Sequence, residues 1–330
     1  MSQPCHAPVM ALSWRSFTPQ MTETIAITLM ALAHLNRGQT VPSALLKQAA
    51  ALPEGAPLIV MIHGYRYCPS KDSHDPHRHI LSLNPRLDGS RRLRSWPSEL
   101  GISASGAEAL GIAFGWSARG NLPAVYRRAA EVGQELAEVA AVLSEAAGRP
   151  VHMVGHSLGA RVALQAMQAA QPGSIGRLIL MAAAELRPQA EAAISSPAGR
   201  QAEVFNITSR ENDIFDFFLE LAVSGGRQRA LGFGLPEPAR NWLDLQIDAP
   251  EVRSALGSLG FPIAADTSRA CHWSPYLREG MFDFYRVALS QPWALPIPLL
   301  RANLPVRQAP RWSRLLEPPR RAQSSSFSRA

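Results

Sequence analysis

Ser157 lies in the run Gly155-His156-Ser157-Leu158-Gly159. Val151-His152-Met153-Val154 precedes it and Ala160-Arg161-Val162-Ala163-Leu164 follows. A short buried strand, a sharp turn at serine and an apolar helix form the setting in which G-x-S-x-G acts as a nucleophile elbow. Gly155 and Gly159 leave room for strand and helix to pass closely on either side of the turn. The serine hydroxyl is then held at the strand's C-terminal end, beside a helix N-terminus. Free N–H groups and the helix dipole there favour a developing oxyanion. The chemistry these residue types could perform is acyl transfer through serine.

A serine hydroxyl needs a base to take its proton, and the base needs an orienting group. In a strand–elbow–helix arrangement the acid and then the histidine follow the serine along the chain. Only one of the nine histidines, His272, follows Ser157, so His272 is the candidate base by elimination. The acid should leave a strand between the two. Glu203–Thr208 reads as that strand, and Asp213, in the turn after it, is the expected acid. Glu211 and Asp216 are local rivals, and Asp248 is a distant one. Asp213 could instead cap the helix that starts there, although Asn212 is available as cap.

The oxyanion needs two N–H donors. The backbone of Leu158 supplies one. The loop His63-Gly64-Tyr65, leaving the apolar run Leu58–Ile62, is expected to supply the other from Tyr65, with Arg66 close by. His63, Gly64, Trp116, His156 and Trp273 are candidate pocket residues.

The cluster Asp72, His74, Asp75, His77 and His79 is dense in metal-ligand types, but its spacing matches no metal motif. It is read as a polar loop at the pocket rim. No metal and no cofactor are expected. The three cysteines, Cys5, Cys68 and Cys271, are too few and too widely spaced for a disulfide framework, which fits a reducing compartment.

Of 330 residues, 46% are hydrophobic and 18% charged, enough apolar material for a folded core. Residues 301–330 hold seven arginines against one glutamate, so nearly all of the net charge of +7 resides there. A near-neutral body argues against a nucleic-acid-binding protein. No secretory signal is visible, and the apolar stretch 25–35 is too short for a membrane span. Met21 could be the true start. Cytoplasmic localisation is expected.

The elements that must position these residues alternate. Leu58–Ile62 is a continuous apolar run, as in a parallel strand buried on both faces. Leu110–Trp116, Val151–Val154, Arg177–Met181 and Glu203–Thr208 read as further strands. Asn241–Asp248 alternates in period two, as a strand with one wet face at a sheet edge. Residues 24–35 fit strand or helix. Leu122–Ala147, Leu158–Ala170, Asp213–Val223 and Pro275–Leu289 read as helices. The fold class is α/β, with a mostly parallel central sheet and helices on both faces. Residues 1–54 form an extension with the first sheet elements, and 55–290 the main domain. Residues 291–330, rich in Pro, Arg and Ser, read as a flexible tail. The stretch 225–238 could form part of a cap.

The chain resembles the alpha/beta hydrolase superfamily over roughly residues 55–290. The resemblance rests on Leu58-Ile59-Val60-Met61-Ile62-His63-Gly64-Tyr65, the run 155–161, and the ordered Asp213 and His272. It is similar to a bacterial group of hydrolases of unknown function through Phe114-Gly115-Trp116-Ser117-Ala118-Arg119-Gly120 and the helix after it. Ser117 stands where that group has proline. The resemblance implies the alpha/beta-hydrolase fold and a serine acyl-transfer mechanism. A carboxylic ester or thioester is the expected small-molecule acyl substrate, cleaved through an acyl-enzyme. The alternative is an inactive hydrolase-fold binding or scaffold protein. A weak contact of the Arg-rich tail with anionic membrane is a further expectation.

Overall fold

The computed structural model describes residues 31–86, 93–103, 108–237, 239–265, 268–305 and 308–316. Residues 1–30, with Cys5 and Met21, and residues 317–330 lie outside these. The strands are β1 (Leu32–Asn36), β2 (Leu58–Ile62), β3 (Leu110–Gly115), β4 (Val151–His156), β5 (Ile175–Met181), β6 (Glu203–Thr208) and β7 (Trp242–Gln246). The helices are α1 (Ser43–Ala50), α2 (Trp96–Glu99), α3 (Leu122–Ala147), α4 (Leu158–Ala169), α5 (Arg187–Ser195) and α6 (Asp213–Ser224). Then come α7 (Pro250–Ser258), α8 (Ser274–Leu277), α9 (Met281–Ser290), α10 (Ile297–Asn303) and α11 (Ser313–Leu316).

All seven strands are parallel, in the order β1-β3-β2-β4-β5-β6-β7. This is the α/β arrangement expected, a parallel central sheet with helices on both faces. The strand order reverses between β2 and β4, the place where such a sheet opens a crevice beyond its C-terminal strand ends. Register carries the side chains to opposite faces. Leu58, Val60 and Ile62 of β2 join the core under α1, α3, α4 and α5, whereas Ile59 and Met61 join the core under α2, α7, α9 and α10. All five are buried, which is why β2 reads as an unbroken apolar run.

α3 begins where the Asn121 side chain accepts the Ala124 N–H at 2.9 Å and ends at Gly148 in the left-handed conformation. β7 is the sheet edge, as its alternation suggested, but its polar face is not wet. Asp244 accepts hydrogen bonds from Asn206 and Trp242, and Gln246 accepts the Ala309 N–H at 2.7 Å. The helix expected over Pro275–Leu289 is two helices, α8 and α9, parted at Gly280, whose φ is 88°.

Of the tail expected to be flexible from residue 291, the described part packs on the rest of the protein, and residues 317–330 lie outside the described residues. Ile297 and Leu300 of α10 are buried in the core. Arg301 donates to the carbonyls of Ala239 and Trp242, and Arg311 pairs with Glu220 at 2.9 Å. Residues 308–316 thus lie on the body of the protein. No helix among the described residues is long and apolar enough to cross a membrane.

Candidate functional site

At the C-terminal ends of the central strands, a cavity of about 610 Å³ gathers the loops after β2, β4, β5 and β6 with the loop before α8. Ser157, Leu158, His156, Gly64, Tyr65, His272 and Trp273 all line it, so segments far apart in sequence meet there.

Ser157 turns the chain from β4 into α4 with φ 56° and ψ −120°. This conformation is costly for any residue with a Cβ and persists only where its surroundings impose it. Its N–H donates to the Met181 carbonyl at 3.0 Å, and its carbonyl accepts the Ala184 N–H at 3.0 Å. The end of β5 thus clamps the turn from both sides. Arg66 and Ala182, two more non-glycine residues at positive φ, line the same cavity. Behind the elbow, Arg161 of α4 pairs with fully buried Glu185 at 2.5 Å and donates to the Tyr126 carbonyl at 2.8 Å. This ties α4 to α3 and to the loop after β5.

Close approach explains two glycines. A Cβ on Gly159 would lie 2.2 Å from the Ile62 carbonyl oxygen, so only glycine lets α4 start against the end of β2. A Cβ on Gly64 would lie 2.8 Å from the His156 carbonyl oxygen and 2.9 Å from Ser157 Cβ. The loop after β2 therefore passes directly against the turn at Ser157. Among the described residues, the N–H groups of Tyr65 and Leu158 have no protein acceptor. The Tyr65 side chain turns outward and donates to the Gly120 carbonyl at 2.5 Å.

His63 and Trp116, expected at the pocket, lie beneath it. The Trp116 N–H donates to His63 Nε2 at 3.1 Å, Trp116 Nε1–H donates to the His63 carbonyl at 3.2 Å, and His63 Nδ1–H donates to the Gly64 carbonyl at 3.0 Å. Burial pushes the His63 pKa down to about 3, so the ring is neutral and serves to brace the loops after β2 and β3.

His272 Nδ1 is 2.6 Å from Asn212 Oδ1. An amide oxygen only accepts, so Nδ1 carries the proton and Nε2 is left as the basic nitrogen. Burial, with His156 adding to it, holds the imidazole well below the usual histidine range, hence neutral. The ring stacks on Phe215, centroids 4.6 Å apart, and its backbone carbonyl accepts His156 Nε2–H at 2.9 Å. Two further bonds join the chain on either side of α8 to the turn after β6. The Cys271 N–H donates to the Glu211 carbonyl at 3.0 Å, and Arg278 pairs with the Glu211 carboxylate at 2.9 Å.

The residue against His272 is therefore Asn212, not the expected Asp213. Asp213 points the other way. Its Oδ2 accepts the Trp312 N–H at 2.7 Å, and its Oδ1 lies 3.3 Å from Arg210. The rival Glu211 is held by Arg278, and Asp248 accepts the Arg210 N–H at 3.0 Å. Asp216 touches the histidine's partner: Asn212 Nδ2 donates to its Oδ1 at 3.0 Å. Burial pushes the Asp216 carboxyl up to about 7, against the opposing pull of Arg210. A search confined to carboxylates passes over Asn212. The available signal was its place in the strand-exit turn, since an amide oxygen accepts from imidazole as a carboxylate does.

The Asp72–His79 cluster is engaged elsewhere. Asp75 accepts the His77 N–H at 3.0 Å, His77 Nε2 bonds Asn36 Oδ1 at 2.8 Å, and Asp72 pairs with Arg78 and Arg86. Among the described residues, no group of three or more His, Cys, Asp or Glu is placed to hold a metal ion.

A family model described as a protein of unknown function, DUF726, matches residues 121–181, from the cap of α3 to the end of β5. Among curated proteins, none matches the chain. Among solved structures, the lin2722 gene product of Listeria innocua is 15% identical, over 47% of this chain and 70% of that one, with a TM-score of 0.27. Bacillus licheniformis lipase BlEst2 in propeptide form is 13% identical, over 78% of this chain and 53% of the lipase, with a TM-score of 0.34. Aspergillus fumigatus lipase B is 13% identical, over 78% of this chain and 69% of the lipase, with a TM-score of 0.34.

Proposed function

We propose that the protein is a serine hydrolase that cleaves a carboxylic ester or thioester through an acyl-enzyme. The observation that carries this reading is the strained Ser157, sharing one cavity with a half-buried, neutral His272 whose Nδ1–H is held by Asn212.

In this mechanism His272 Nε2 takes the Ser157 hydroxyl proton as Oγ attacks the substrate carbonyl. The carbonyl π electrons move onto oxygen, and the N–H groups of Tyr65 and Leu158 bind the oxyanion. Collapse expels the alcohol or thiol, which receives the proton from Nε2. Water then attacks the acyl-serine by the same route, releasing the carboxylic acid and restoring Ser157. Asn212 fixes the tautomer and ring orientation through both half-reactions, and Asp216 fixes Asn212. Apolar walls, among them Leu122, Phe215, Phe218 and Trp273, suit an acyl chain. A reducing, cytoplasmic setting is part of the proposal, supported by Cys68 and Cys271 remaining free thiols.

The test is hydrolysis of short-chain aryl esters and acyl thioesters by the wild type, Ser157→Ala and His272→Ala. Wild-type turnover, lowered in each folded variant by about 10³-fold or more, is the expected result. Turnover unchanged in Ser157→Ala overturns the reading.

A further inference from the structure

α6 is built inside out. Its charged residues, Asp213, Asp216 and Glu220, are all buried. They are held by Arg210, Asn212, Arg311 and the Ala230 N–H. Its outer surface carries Phe215, Phe217, Phe218 and Leu221, with relative exposures of 37%, 38%, 60% and 47%. A surface helix normally turns its apolar stripe inward and its charges to water. Here the inward face carries the polar network that supports Asn212 beside a single large buried apolar residue, Leu219, and four large apolar side chains are left outside. A contiguous exposed apolar patch of this kind marks a contact surface.

The patch runs into the cavity, because Phe215 and Phe218 are also part of its wall. On the other side the Phe217 ring meets Trp312, centroids 5.8 Å apart. The described chain ends just beyond, at the exposed Leu316, and the sequence continues with Arg320, Arg321 and Arg329 against the single Glu317. Arg66 is exposed at the cavity, and Arg227 and Arg229 are exposed just past the C-terminus of α6. Arg66, Arg227 and Arg229 therefore flank the patch with positive charge. A second copy docked on it about a twofold axis would bring like charges together. An anionic lipid surface complements both parts: apolar side chains enter the acyl boundary, and guanidinium groups meet headgroup phosphates.

We propose that the outer face of α6 docks on an anionic lipid surface, which sets the mouth of the Ser157 cavity against the lipid phase. The docking stands apart from the hydrolase reading. Its consequence, that the acyl substrate is drawn from that phase, rests on it.

The test is flotation of the full chain with vesicles of phosphatidylcholine, alone or mixed with phosphatidylglycerol. Tighter binding to the mixed vesicles is expected. Leu221→Glu, outside the cavity wall, should weaken that binding by about tenfold or more, while hydrolysis of a soluble short-chain ester stays within about twofold. Phe217→Glu provides a second, independent variant. Absence of wild-type binding to the mixed vesicles overturns the proposal. Binding unchanged in both variants overturns it in favour of the arginine-rich terminus alone. A concentration-dependent dimer that Leu221→Glu dissociates overturns it in favour of a second copy. Vesicle binding by a wild type that hydrolyses no ester leaves the docking standing and removes the hydrolase reading.

Discussion

Replacing Asn212 by alanine removes the oxygen that sits 2.6 Å from His272 Nδ1, and deprives Asp216 Oδ1 of its donor. A buried donor left without its acceptor costs about 1–3 kcal/mol. If that falls on the transition state, where the ring must be oriented and positive, turnover drops by about 5- to 160-fold at 1.36 kcal/mol per decade. A loss nearer 10⁴-fold belongs to substitutions that fix the wrong tautomer, which alanine cannot do. Asn212→Asp keeps an acceptor at Nδ1 but sets a carboxylate against Asp216, so the pair should share a proton and turnover should fall less than in Asn212→Ala. Asp213→Asn is the contrasting case. Asp213 contacts Arg210 and the Trp312 N–H, so its loss should destabilise the fold by up to about 3 kcal/mol while leaving any turnover of the folded variant within about threefold of wild type. The assay is kcat on a soluble aryl ester, with circular dichroism and thermal melting on each variant. Abolished turnover in a folded Asp213→Asn, with Asn212→Ala near wild type, would refute the assignment and restore Asp213 as the orienting acid.

Burial holds His272 well below the usual histidine range, so the acid limb of kcat/KM should fall clearly below pH 6.5; a limb at or above that pH contradicts a neutral base. Asp216 is raised from the ordinary 3.8 to about 7, so the folded chain keeps a proton that the unfolded chain releases. The stabilisation from this group is complete below about pH 4 and lost as pH rises through about 7. The wild-type melting temperature should therefore decline over that window more steeply than that of Asp216→Asn, and parallel curves would show that Asp216 titrates normally. Gly64→Ala should cost about 1–3 kcal/mol and most of the turnover, because the new methyl meets the backbone of His156 and the Cβ of Ser157. A fully active, equally stable Gly64→Ala would mean that the loop after β2 does not press on the nucleophile turn.

Much of the fold was legible in the sequence because parallel strands covered on both faces leave unbroken apolar runs. β2 and β4 are the clearest, and the turn after β4 announces itself through glycines that no other residue could replace. His272 was legible by simple scarcity. Asn212 was not, because its role depends on which way the turn after β6 rotates before α6 begins. That rotation is set by contacts remote in sequence: Arg278 on Glu211, Arg210 on Asp213 and the Trp312 N–H on Asp213. Contacts remote in sequence also hold the described part of the tail. Residues 308–316 look like linker by composition, yet they satisfy polar groups at the base of α6, which local patterning does not reveal. α6 itself was legible as a helix, whereas its orientation could be seen only once its charged residues had partners.

The central claim is that Ser157 is an activated nucleophile. Its most direct test is covalent labelling of the full chain by a fluorophosphonate probe, read by intact mass, for wild type and a folded Ser157→Ala. The account predicts one adduct on the wild type, mapped to the peptide containing Ser157, and none on the variant. A folded wild type that takes no label, or a Ser157→Ala that labels as readily, would contradict it.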